Sequence, residues 1–460
     1  MYKIDFSNPI NVHFIGIGGI SMSGLAEILI ENSFTVSGSD MNNSDMTTHL
    51  KTLGVNVFIG HRSSNIPLNT DLVVYTAAIA VDNSELVYAK DNDIPVMDRA
   101  ELLGQIMSNY SCSIGVSGTH GKTTTTSMLS NIFIEAKKDP TITVGGILDI
   151  ISGNIKIGGS EYFITEACEY ANSFLKFHPT VAIVLNVEED HLDFFKDLEE
   201  IKQSFSTYLS NVPDSGFIVI NSDIKDYKEL VKDKSCTIIT YGSNPEYSNW
   251  YPQNIVFDSN GHGVFDLYYK GSFFKKVNNN ATGMHNIYNS IAAIAASICV
   301  GIDEETAVAA LSDFASPRRR FEYKGSLHDI KLYDDYAHHP TEIKATIEAA
   351  KKFDYNKLWV VFQPHTYSRT KAFLEDFAAA LSLADQVIVT DIYAAREKDP
   401  GDIHANDLVN IMKKNCLNCR YISSFDEIEY YLLQNLCPKD MLITMGAGNI
   451  NLIGEDLIKG

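Results

Sequence analysis

The stretch GVSGTHGKTTTT, residues 115–126, carries the strongest local signal in the chain. An apolar run, Ile114 to Val116, enters a glycine-containing loop, and Lys122 and Thr123 open a helical pattern directly after it. Such a strand, loop and helix point backbone N–H groups and the positive end of the helix at an anion. A lysine in this position reaches the β- and γ-phosphates of a nucleotide, and the threonine hydroxyl binds Mg²⁺. The stretch therefore predicts a P-loop that binds ATP or GTP.

One position departs from the G-x-x-x-x-G-K-[ST] pattern, because Val116 stands where its first glycine would be. The alternative interpretation is a glycine-containing turn before a threonine-rich helix. The strand, the loop, the lysine–threonine pair and the helix all agree with phosphate binding, so we favour the P-loop.

A second glycine loop lies near the start of the chain, in HFIGIGGISMSG at residues 13–24. The dinucleotide-binding pattern G-x-G-x-x-G needs a third glycine at a position that Ser21 occupies. Backbone N–H groups in such a loop bind a pyrophosphate, which NAD and other molecules carry. Asp40, at the end of the next apolar run, is placed either to reach a ribose hydroxyl or to cap the following turn.

Short apolar runs followed by helical patterns recur along all 460 residues, as in doubly wound parallel sheets. A chain of this length exceeds one hydrophobic core. We predict an α/β protein of three consecutive Rossmann-like domains, residues 1–110, 111–321 and 322–460, the central one of P-loop type. The more polar stretch at residues 254–277 is expected to be antiparallel.

The composition excludes several classes of partner. Lys and Arg number 37 against 58 Asp and Glu, and the net charge of −21 argues against nucleic acid and anionic membranes. No stretch reaches the roughly 18 apolar residues of a membrane span, and the N-terminus has no apolar signal region. Seven scattered cysteines predict a reducing cytoplasm without structural disulfides. We interpret the C-x-x-C of Cys416 and Cys419 as coincidental rather than metal-binding.

The loop GTHGKTTT at 118–125 resembles the phosphate loop of the Mur ligases, the ATP-dependent amide-forming enzymes of peptidoglycan synthesis. Further landmarks follow in that family's order: TEACEYANSFL at 165–175, NVEEDHLDFF at 186–195, GMHNIYN at 283–289, SPRRRFE at 316–322, DDYAHHPTE at 334–342 and FQPHTYSRT at 362–370. The resemblance spans the chain and is strongest to the member that adds the first amino acid. It implies that L-alanine is joined to the lactyl carboxylate of UDP-N-acetylmuramate, and that the three domains bind the UDP-sugar, ATP and the amino acid in turn.

The same resemblance implies an acyl phosphate and then a tetrahedral intermediate, a chemistry that needs cations and metal ligands. It assigns a set of residues to the ATP site: Gly118, Thr119, His120, Gly121, Lys122, Thr123, Thr124, His285, Asn286, Asn289, Arg320, Asp335 and His338. Two Mg²⁺ ions, for which Mn²⁺ can substitute, would be held by Thr123, Glu166 and His191. The implied catalytic residues are Lys122, Glu166, His191 and His338. Gly16, Gly18, Gly19, Asp40 and His61 are the candidates for binding the UDP-sugar.

His339, His365 and Arg369 are assigned to the amino acid or a substrate carboxylate. Thr366 stands where some relatives carry arginine, which leaves Arg369 as the better candidate for a bidentate grip on a carboxylate. Ala337 and Ser21 occupy positions that are glycine in many relatives. Without the resemblance, Asn286 would equally suit helix capping, and a lone histidine such as His191 would more often be structural.

The predicted partners are UDP-N-acetylmuramate, L-alanine and ATP, with no nucleic acid or membrane, and the protein is expected to be a monomer or a weak homodimer. Three alternatives remain open from the sequence. They are a ligase that attaches a recycled peptide to the same UDP-sugar, an NAD-dependent dehydrogenase, and a non-catalytic nucleotide sensor on a ligase scaffold.

Overall fold

The computed structural model describes residues 3–414 and 418–459. Cys416 lies outside these ranges, so the interpretation of its C-x-x-C stays a prediction. Within the described ranges, no helix is both long and apolar enough to cross a membrane.

The first segment folds as a five-stranded, wholly parallel sheet. Its elements are β1 (Asn11–Ile15), α1 (Ile20–Glu31), β2 (Thr35–Asp40), α2 (Asp45–Thr52), β3 (Asn56–Ile59), β4 (Leu72–Tyr75), α3 (Ser84–Asp91), β5 (Val96–Asp98) and α4 (Arg99–Met107), with a 3-10 turn at Ser63–Asn65. The strand order is β3-β2-β1-β4-β5. The order reverses beside β1, so the glycine loop after β1 lies at a topological switch point, where α/β sheets bind ligands.

The second segment is a ten-stranded mixed sheet in the order β15-β14-β13-β12-β11-β10-β6-β9-β7-β8. Its strands are β6 (Cys112–Ser117), β7 (Thr141–Leu148), β8 (Gly153–Lys156), β9 (Tyr162–Glu166), β10 (Val181–Val184), β11 (Phe217–Asn221), β12 (Thr237–Tyr241), β13 (Trp250–Phe257), β14 (His262–Tyr269) and β15 (Ser272–Thr282). Its helices are α5 (Lys122–Glu135), α6 (Leu198–Leu209), α7 (Tyr227–Leu230), α8 (Met284–Cys299) and α9 (Glu304–Ala309), with 3-10 turns at Asp149–Ile151 and Tyr170–Lys176. The antiparallel character expected for residues 254–277 is confirmed, because β13, β14 and β15 pair antiparallel.

The third segment is a six-stranded sheet in the order β16-β17-β21-β18-β19-β20, parallel except for the pair β16–β17. Its strands are β16 (Glu322–Leu327), β17 (Ile330–Asp335), β18 (Leu358–Phe362), β19 (Gln386–Val389), β20 (Cys419–Tyr421) and β21 (Met441–Met445). Its helices are α10 (Pro340–Ala350), α11 (Tyr367–Ala372), α12 (Leu374–Leu381), α13 (Ala405–Lys414), α14 (Phe425–Asn435) and α15 (Asn451–Lys459).

The predicted α/β class, with three successive mostly parallel sheets, is confirmed. The first two sheets share one apolar core, in which buried residues of both segments pack together. Tyr110, at the end of the first segment, packs its ring 4.9 Å from that of Phe163 in β9. The third sheet has its own cores on its two faces. His191, one of the catalytic candidates, lines a cavity where the second and third segments meet.

Candidate active site

The phosphate loop joins β6 to α5, which begins at Lys122. Gly118 and Gly121 have φ values of 141° and 85°, in the region that favours glycine. A Cβ on Gly121 would lie 2.9 Å from Oδ1 of Asn289, so this glycine also allows close contact with α8. Val116, the departure from the consensus, is buried within β6 and belongs to the strand. The strand, loop and helix predicted here are therefore all present.

Lys122 is held by its own loop and by a buried carboxylate. Its Nζ donates to the carbonyl oxygens of Gly118 and Thr119 at 2.5 and 3.1 Å, and to Oε2 and Oε1 of Glu169 at 3.0 and 3.2 Å. Burial disfavours the charged lysine, but the carboxylate of Glu169 outweighs it and raises the pKa of Lys122. The ammonium is thus charged and oriented without a phosphate. Sequence reasoning assigned no role to Glu169, although it lies in the same motif as Glu166.

Asn186, which follows β10 closely, holds the phosphate loop in shape. Its Oδ1 accepts from the N–H of His120 at 2.8 Å, and its Nδ2 donates to the carbonyl of the same residue at 3.1 Å. The N–H of Glu188 donates to Oγ1 of Thr119 at 2.9 Å. Asn186 was not predicted as a site residue; its position at the start of NVEEDH was the available signal.

Two oxygen donors, Thr123 and Glu166, flank consecutive glycines of β7. Glu166 is the last residue of β9, and its Oε1 accepts from the N–H of Gly145 at 2.6 Å. A Cβ on Gly145 would lie 3.1 Å from that oxygen, and one on Gly146 would lie 3.0 Å from Cγ2 of Thr123. The carboxylate of Glu166 and the methyl group of Thr123 therefore approach the same short piece of backbone. A carboxylate and a hydroxyl are oxygen donors that suit Mg²⁺.

His191 adopts a left-handed conformation with φ of 54°, which is uncommon outside glycine. Its N–H donates to Oδ1 of Asp190 at 2.7 Å, and its ring packs 4.7 Å from that of Tyr170. Burial lowers the pKa of His191, which favours the neutral imidazole that binds metals. Glu169 and Lys122 are among the charges acting on it, which places it beside the phosphate loop.

The guanidinium of Arg369 is paired within the chain. It donates from Nε and Nη2 to Oδ1 of Asp190 at 3.1 and 2.9 Å, and from Nη1 to Nδ1 of His365 at 3.2 Å. Burial opposes the charge on Asp190, yet Arg369 outweighs it and holds the pKa of that carboxyl well below its usual value. Arg369 was predicted to bind a substrate carboxylate. In this structure it binds the carboxylate of Asp190.

Glu188, Glu189 and Asp190 are consecutive residues of the second segment that contact the third segment. We call these three residues the docking segment. Thr341 donates from Oγ1 to Oε2 of Glu188 at 2.7 Å, and His339 donates from Nε2 to the carbonyl of Glu189 at 3.1 Å. Nδ1 of His339 accepts from the N–H of Thr341 at 3.3 Å and caps α10. His339, predicted to face a substrate, is instead buried with both ring nitrogens engaged.

A cavity of about 270 Å³ opens between the phosphate loop, α8 and the start of the third segment. Predicted ATP-site residues that line it are His120, Gly121, Thr124, His285, Asn286, Asn289, Arg320 and Asp335. Lining residues that were not predicted are Leu185, Asn186, Glu188, Asn221, Tyr241, Tyr288, Phe321, Thr341, Glu342, Ala345 and Thr346. Burial lowers the pKa of His285 to about 4, so this ring is neutral.

The two asparagine amides of α8 are partly used by the helix start. Gly283 is the N-cap, so capping is not the role of Asn286. Asn286 donates from Nδ2 to the carbonyl of Thr282 at 2.8 Å and accepts on Oδ1 from Nδ2 of Asn289 at 2.9 Å. Each amide keeps unused hydrogen-bonding capacity at the cavity wall.

Arg320 and Asp335 connect the cavity to the third segment. Arg320 donates from Nη2 to Oγ1 of Thr123 at 3.3 Å. Asp335 accepts from the N–H groups of Phe321 and Ala337 at 3.0 and 2.8 Å. Burial raises the pKa of Asp335 to about 6. This carboxylate thus fixes the entry to the third segment.

His338, also predicted for the ATP site, is not among the residues that line this cavity and lies near His365. Its Nδ1 donates to the carbonyl of Tyr336 at 3.0 Å, and its ring lies 5.7 Å from that of His365. A larger cavity of about 490 Å³ adjoins these residues, and its walls include the predicted His191, His365 and Arg369. Burial lowers the pKa of His365 to about 4.

His120, Glu188 and His339 form the one cluster of three potential ligand groups found among the described residues, with ligand atoms within 4.8 Å of one another. Burial opposes a charge on His120, but Glu342 and Glu188 outweigh it and raise the pKa of His120 to about 9. A protonated imidazole does not bind a metal. We interpret His120 as ion-paired with Glu188 and Glu342, which lie 3.6 and 3.3 Å from its ring nitrogens.

The glycine loop of the first segment is braced by the carboxylate that follows it. The N–H of Gly18 donates to Oδ2 of Asp40 at 2.9 Å, and Oδ1 of Asp40 accepts from the N–H of Asn42 at 3.1 Å. The sequence left two roles open for Asp40. The structure shows the one in which Asp40 caps the turn. His61 lies next to β2, with Nδ1 2.9 Å from Oγ of Ser39. Gly16 has φ of 84°, and Gly19 is the N-cap of α1.

A P-loop segment between two further α/β segments, with a carboxylate and a histidine beside the phosphate loop, defines a three-part nucleotide-dependent enzyme scaffold. Family models agree: Mur ligase family, catalytic domain matches residues 11–111, Mur ligase middle domain matches 116–297, and Mur ligase, glutamate ligase domain matches 319–448. The chain belongs to the Mur ligase family, whose members are ATP-dependent.

Individual relatives are similar over their whole length. UDP-N-acetylmuramate–L-alanine ligase of Agathobacter rectalis is 53% identical, with 100% of each chain covered. The crystal structure of UDP-N-acetylmuramate-alanine ligase MurC from Thermotoga maritima matches with a TM-score of 0.79 at 27% identity, covering 98% of each chain. A murein peptide ligase, mpl, from Psychrobacter arcticus matches with a TM-score of 0.69 at 26% identity and the same coverage.

Proposed function

We propose that the protein is an ATP-dependent ligase that joins L-alanine to the lactyl carboxylate of UDP-N-acetylmuramate, giving ADP and phosphate in peptidoglycan precursor synthesis. The observation that carries the proposal is the phosphate loop with its oriented, charged Lys122: the loop borders the 270 Å³ cavity, and His191 lines the 490 Å³ cavity beside Arg369. Full-length relatives at about half identity bear the name of this activity.

The phosphate loop and the 270 Å³ cavity form the ATP site in this proposal. Backbone N–H groups of the loop and the start of α5 hold the phosphates, while Lys122 neutralises the γ-phosphate. The adenine lies against His285, Asn286 and Asn289, whose amides offer a donor and an acceptor to its edge. Arg320 approaches the phosphates from the far wall.

Thr123, Glu166 and His191 are proposed to hold Mg²⁺, or Mn²⁺ in its place. Glu166 and Thr123 lie beside the consecutive glycines Gly145 and Gly146 of β7, and burial lowers the pKa of His191, which favours its neutral imidazole. When bound, two such ions would neutralise charge on the transferring phosphoryl group.

In the first step, a lactyl carboxylate oxygen forms a bond to the γ-phosphorus, and the bond from that phosphorus to the β-γ bridging oxygen breaks. The products are an acyl phosphate and ADP. Positioning and charge neutralisation supply most of the catalysis of such a transfer. Lys122 provides the fixed positive charge, because Glu169 and two carbonyls orient its Nζ.

In the second step, the amine of L-alanine attacks the acyl carbon. The tetrahedral intermediate collapses, the C–O bond to phosphate breaks, and the amine loses its proton to give an amide. We propose that the amino acid occupies the 490 Å³ cavity, where His365 and Arg369 lie with His338 nearby. Arg369 can take a substrate carboxylate only by sharing or releasing Asp190.

The domains at 1–110, 111–321 and 322–460 are proposed to bind the UDP-sugar, ATP and the amino acid. Gly16, Gly18 and Gly19 receive the pyrophosphate, with Asp40 and His61 beside it. Closure of the third domain on the second excludes water from the acyl phosphate. Small-angle scattering should show compaction when an ATP analogue and the UDP-sugar are added together; an unchanged radius of gyration would contradict the closure.

The test of the function is phosphate release with UDP-N-acetylmuramate, ATP, Mg²⁺ and single amino acids. We expect release with L-alanine and none in a Lys122→Ala variant. A peptide-adding ligase is the second candidate, because the Psychrobacter arcticus protein of that type shares the fold. Release with a tripeptide but not with L-alanine would reject our proposal in its favour. Tight NAD(H) binding is expected to be absent, and gel filtration should give a monomer or a weak homodimer.

A further inference from the structure

A third cavity, of about 350 Å³, lies between the first and second segments. One end is formed by Ser21 in the first turn of α1 and by Arg99 at the start of α4. Thr143 and Glu166, the latter a candidate metal ligand, line the cavity from the second segment. The cavity therefore connects the start of α1, just after the glycine loop, with a candidate metal ligand.

Arg99 is the one Lys, Arg or His side chain among the described residues that line this cavity. Its Nη1 donates to Oγ of Ser21 at 3.1 Å. Within residues 3–414 and 418–459, no carboxylate oxygen lies within 4.0 Å of its guanidinium. The adjacent Asp98 is instead paired with Lys176.

An arginine in this situation has unused binding capacity. Its planar group carries five N–H donors, of which Ser21 takes one. Most half-buried arginines pair with a carboxylate, since burial of an unpaired charge is costly. Burial lowers the pKa of Arg99, which reflects that unmet cost. An anionic ligand in the cavity would supply the missing partner.

We propose that Arg99, oriented by Ser21, contacts the diphosphate of the sugar nucleotide. Ser21 follows Gly19, the last glycine of the loop, by two residues, so the guanidinium that Ser21 holds lies at the end of the cavity nearest this loop. The reacting carboxylate belongs at the opposite end, near Glu166. This inference rests on the proposed function, because it takes the cavity as the passage for the UDP-sugar.

The inference also gives Ser21 a purpose. A glycine at this position, which the dinucleotide pattern requires, would offer no hydroxyl to hold the guanidinium. Ser21 is therefore not a defect in a nucleotide-binding loop but part of a two-residue phosphate contact. Arg99 and Ser21 together recognise the substrate through a charge-assisted hydrogen bond, which is strongest with an anion.

The test is calorimetric titration of the ATP-free protein with UDP-N-acetylmuramate and, separately, with UDP. Arg99→Gln should weaken both ligands about tenfold or more, the usual loss for a charge-assisted hydrogen bond to phosphate. Arg99→Lys should recover part of the loss, and Ser21→Ala should weaken both ligands a few-fold. Lys90→Gln, which removes an exposed cation of α3 outside the cavity, should change neither.

Two results would overturn the assignment. Wild-type affinity for both ligands in Arg99→Gln would remove Arg99 from the site. Weaker binding of UDP-N-acetylmuramate with unchanged binding of UDP would move Arg99 to the lactyl carboxylate instead of the diphosphate. Failure of the proposed function is distinguishable from both, because the wild-type protein itself would then bind no UDP-N-acetylmuramate or release no phosphate with L-alanine.

Discussion

Replacing Gly121 by alanine should damage the ATP site more than it damages the fold. At φ of 85° an alanine adopts the left-handed backbone conformation, which lowers the free energy of unfolding by about 1 kcal/mol. Its Cβ would also lie 2.9 Å from Oδ1 of Asn289 and 3.2 Å from Cδ1 of Leu185, so the loop must shift by a few tenths of an ångström. The shift moves the backbone N–H groups that we propose to face the phosphates.

The chain offers a matched control at Gly271, in the turn between β14 and β15. This glycine has φ of 84°, and nothing lies within 4 Å of a Cβ built on it. Gly271→Ala therefore carries the same backbone penalty without crowding, and both sites belong to the second segment. The difference between the two variants isolates the effect of crowding at the phosphate loop.

We expect both variants to lose about 1 kcal/mol of stability, seen as similar small drops in the thermal midpoint. In a phosphate-release assay with ATP as the varied substrate, Gly271→Ala should behave as wild type. Gly121→Ala should lose about tenfold or more in kcat/KM for ATP, since each 1.4 kcal/mol of lost binding is a factor of ten. Wild-type kcat/KM in Gly121→Ala would refute the argument that this loop cradles ATP.

Further outcomes follow from the buried charges and the metal donors. Glu169→Gln removes the carboxylate that orients Lys122, so kcat at saturating ATP should fall about tenfold. Glu161→Gln, an exposed control, should leave kcat unchanged. Equal kcat values in the two variants would show that Glu169 does not contribute to catalysis. The pKa of Asp190 is depressed in the folded state, so its pair with Arg369 stabilises the protein above the unfolded pKa of about 3.9 and is lost as pH falls below it. Asp190→Asn should accordingly lower the thermal midpoint at pH 7 and reduce the loss on acidification; parallel curves for both proteins would contradict this. Chelation by EDTA should abolish phosphate release, and added Mg²⁺ or Mn²⁺ should restore it; full activity in EDTA would exclude the proposed metal role.

Local patterns predicted the parts of the fold that local physics determines. The strand, glycine loop and helix around Lys122 follow from residues that are adjacent in sequence. The helical pattern expected after an apolar run is observed after β1, where α1 begins at Ile20. The antiparallel strands β13, β14 and β15 could also be predicted, because their polar, alternating sequence differs from that of the buried parallel strands.

The partners of the charged side chains could not be predicted from the sequence in the same way. Glu169 meets Lys122 across 47 positions, and Asp190 meets Arg369 across 179. Such pairs depend on how sheets stack and segments dock, which no spacing encodes. The sequence thus suggested Arg369 as a substrate-binding cation without indicating that the chain supplies its own carboxylate.

The docking segment has a consequence for ATP hydrolysis in the absence of the other substrates. Glu188, Glu189 and Asp190 are anchored by the third segment, and His191 follows them without an intervening residue. We expect the left-handed conformation of His191, a candidate metal ligand, to form together with this docking. Before the third segment docks, the proposed phosphoryl-transfer site would then lack one of its parts, which would limit hydrolysis of ATP bound without the other substrates.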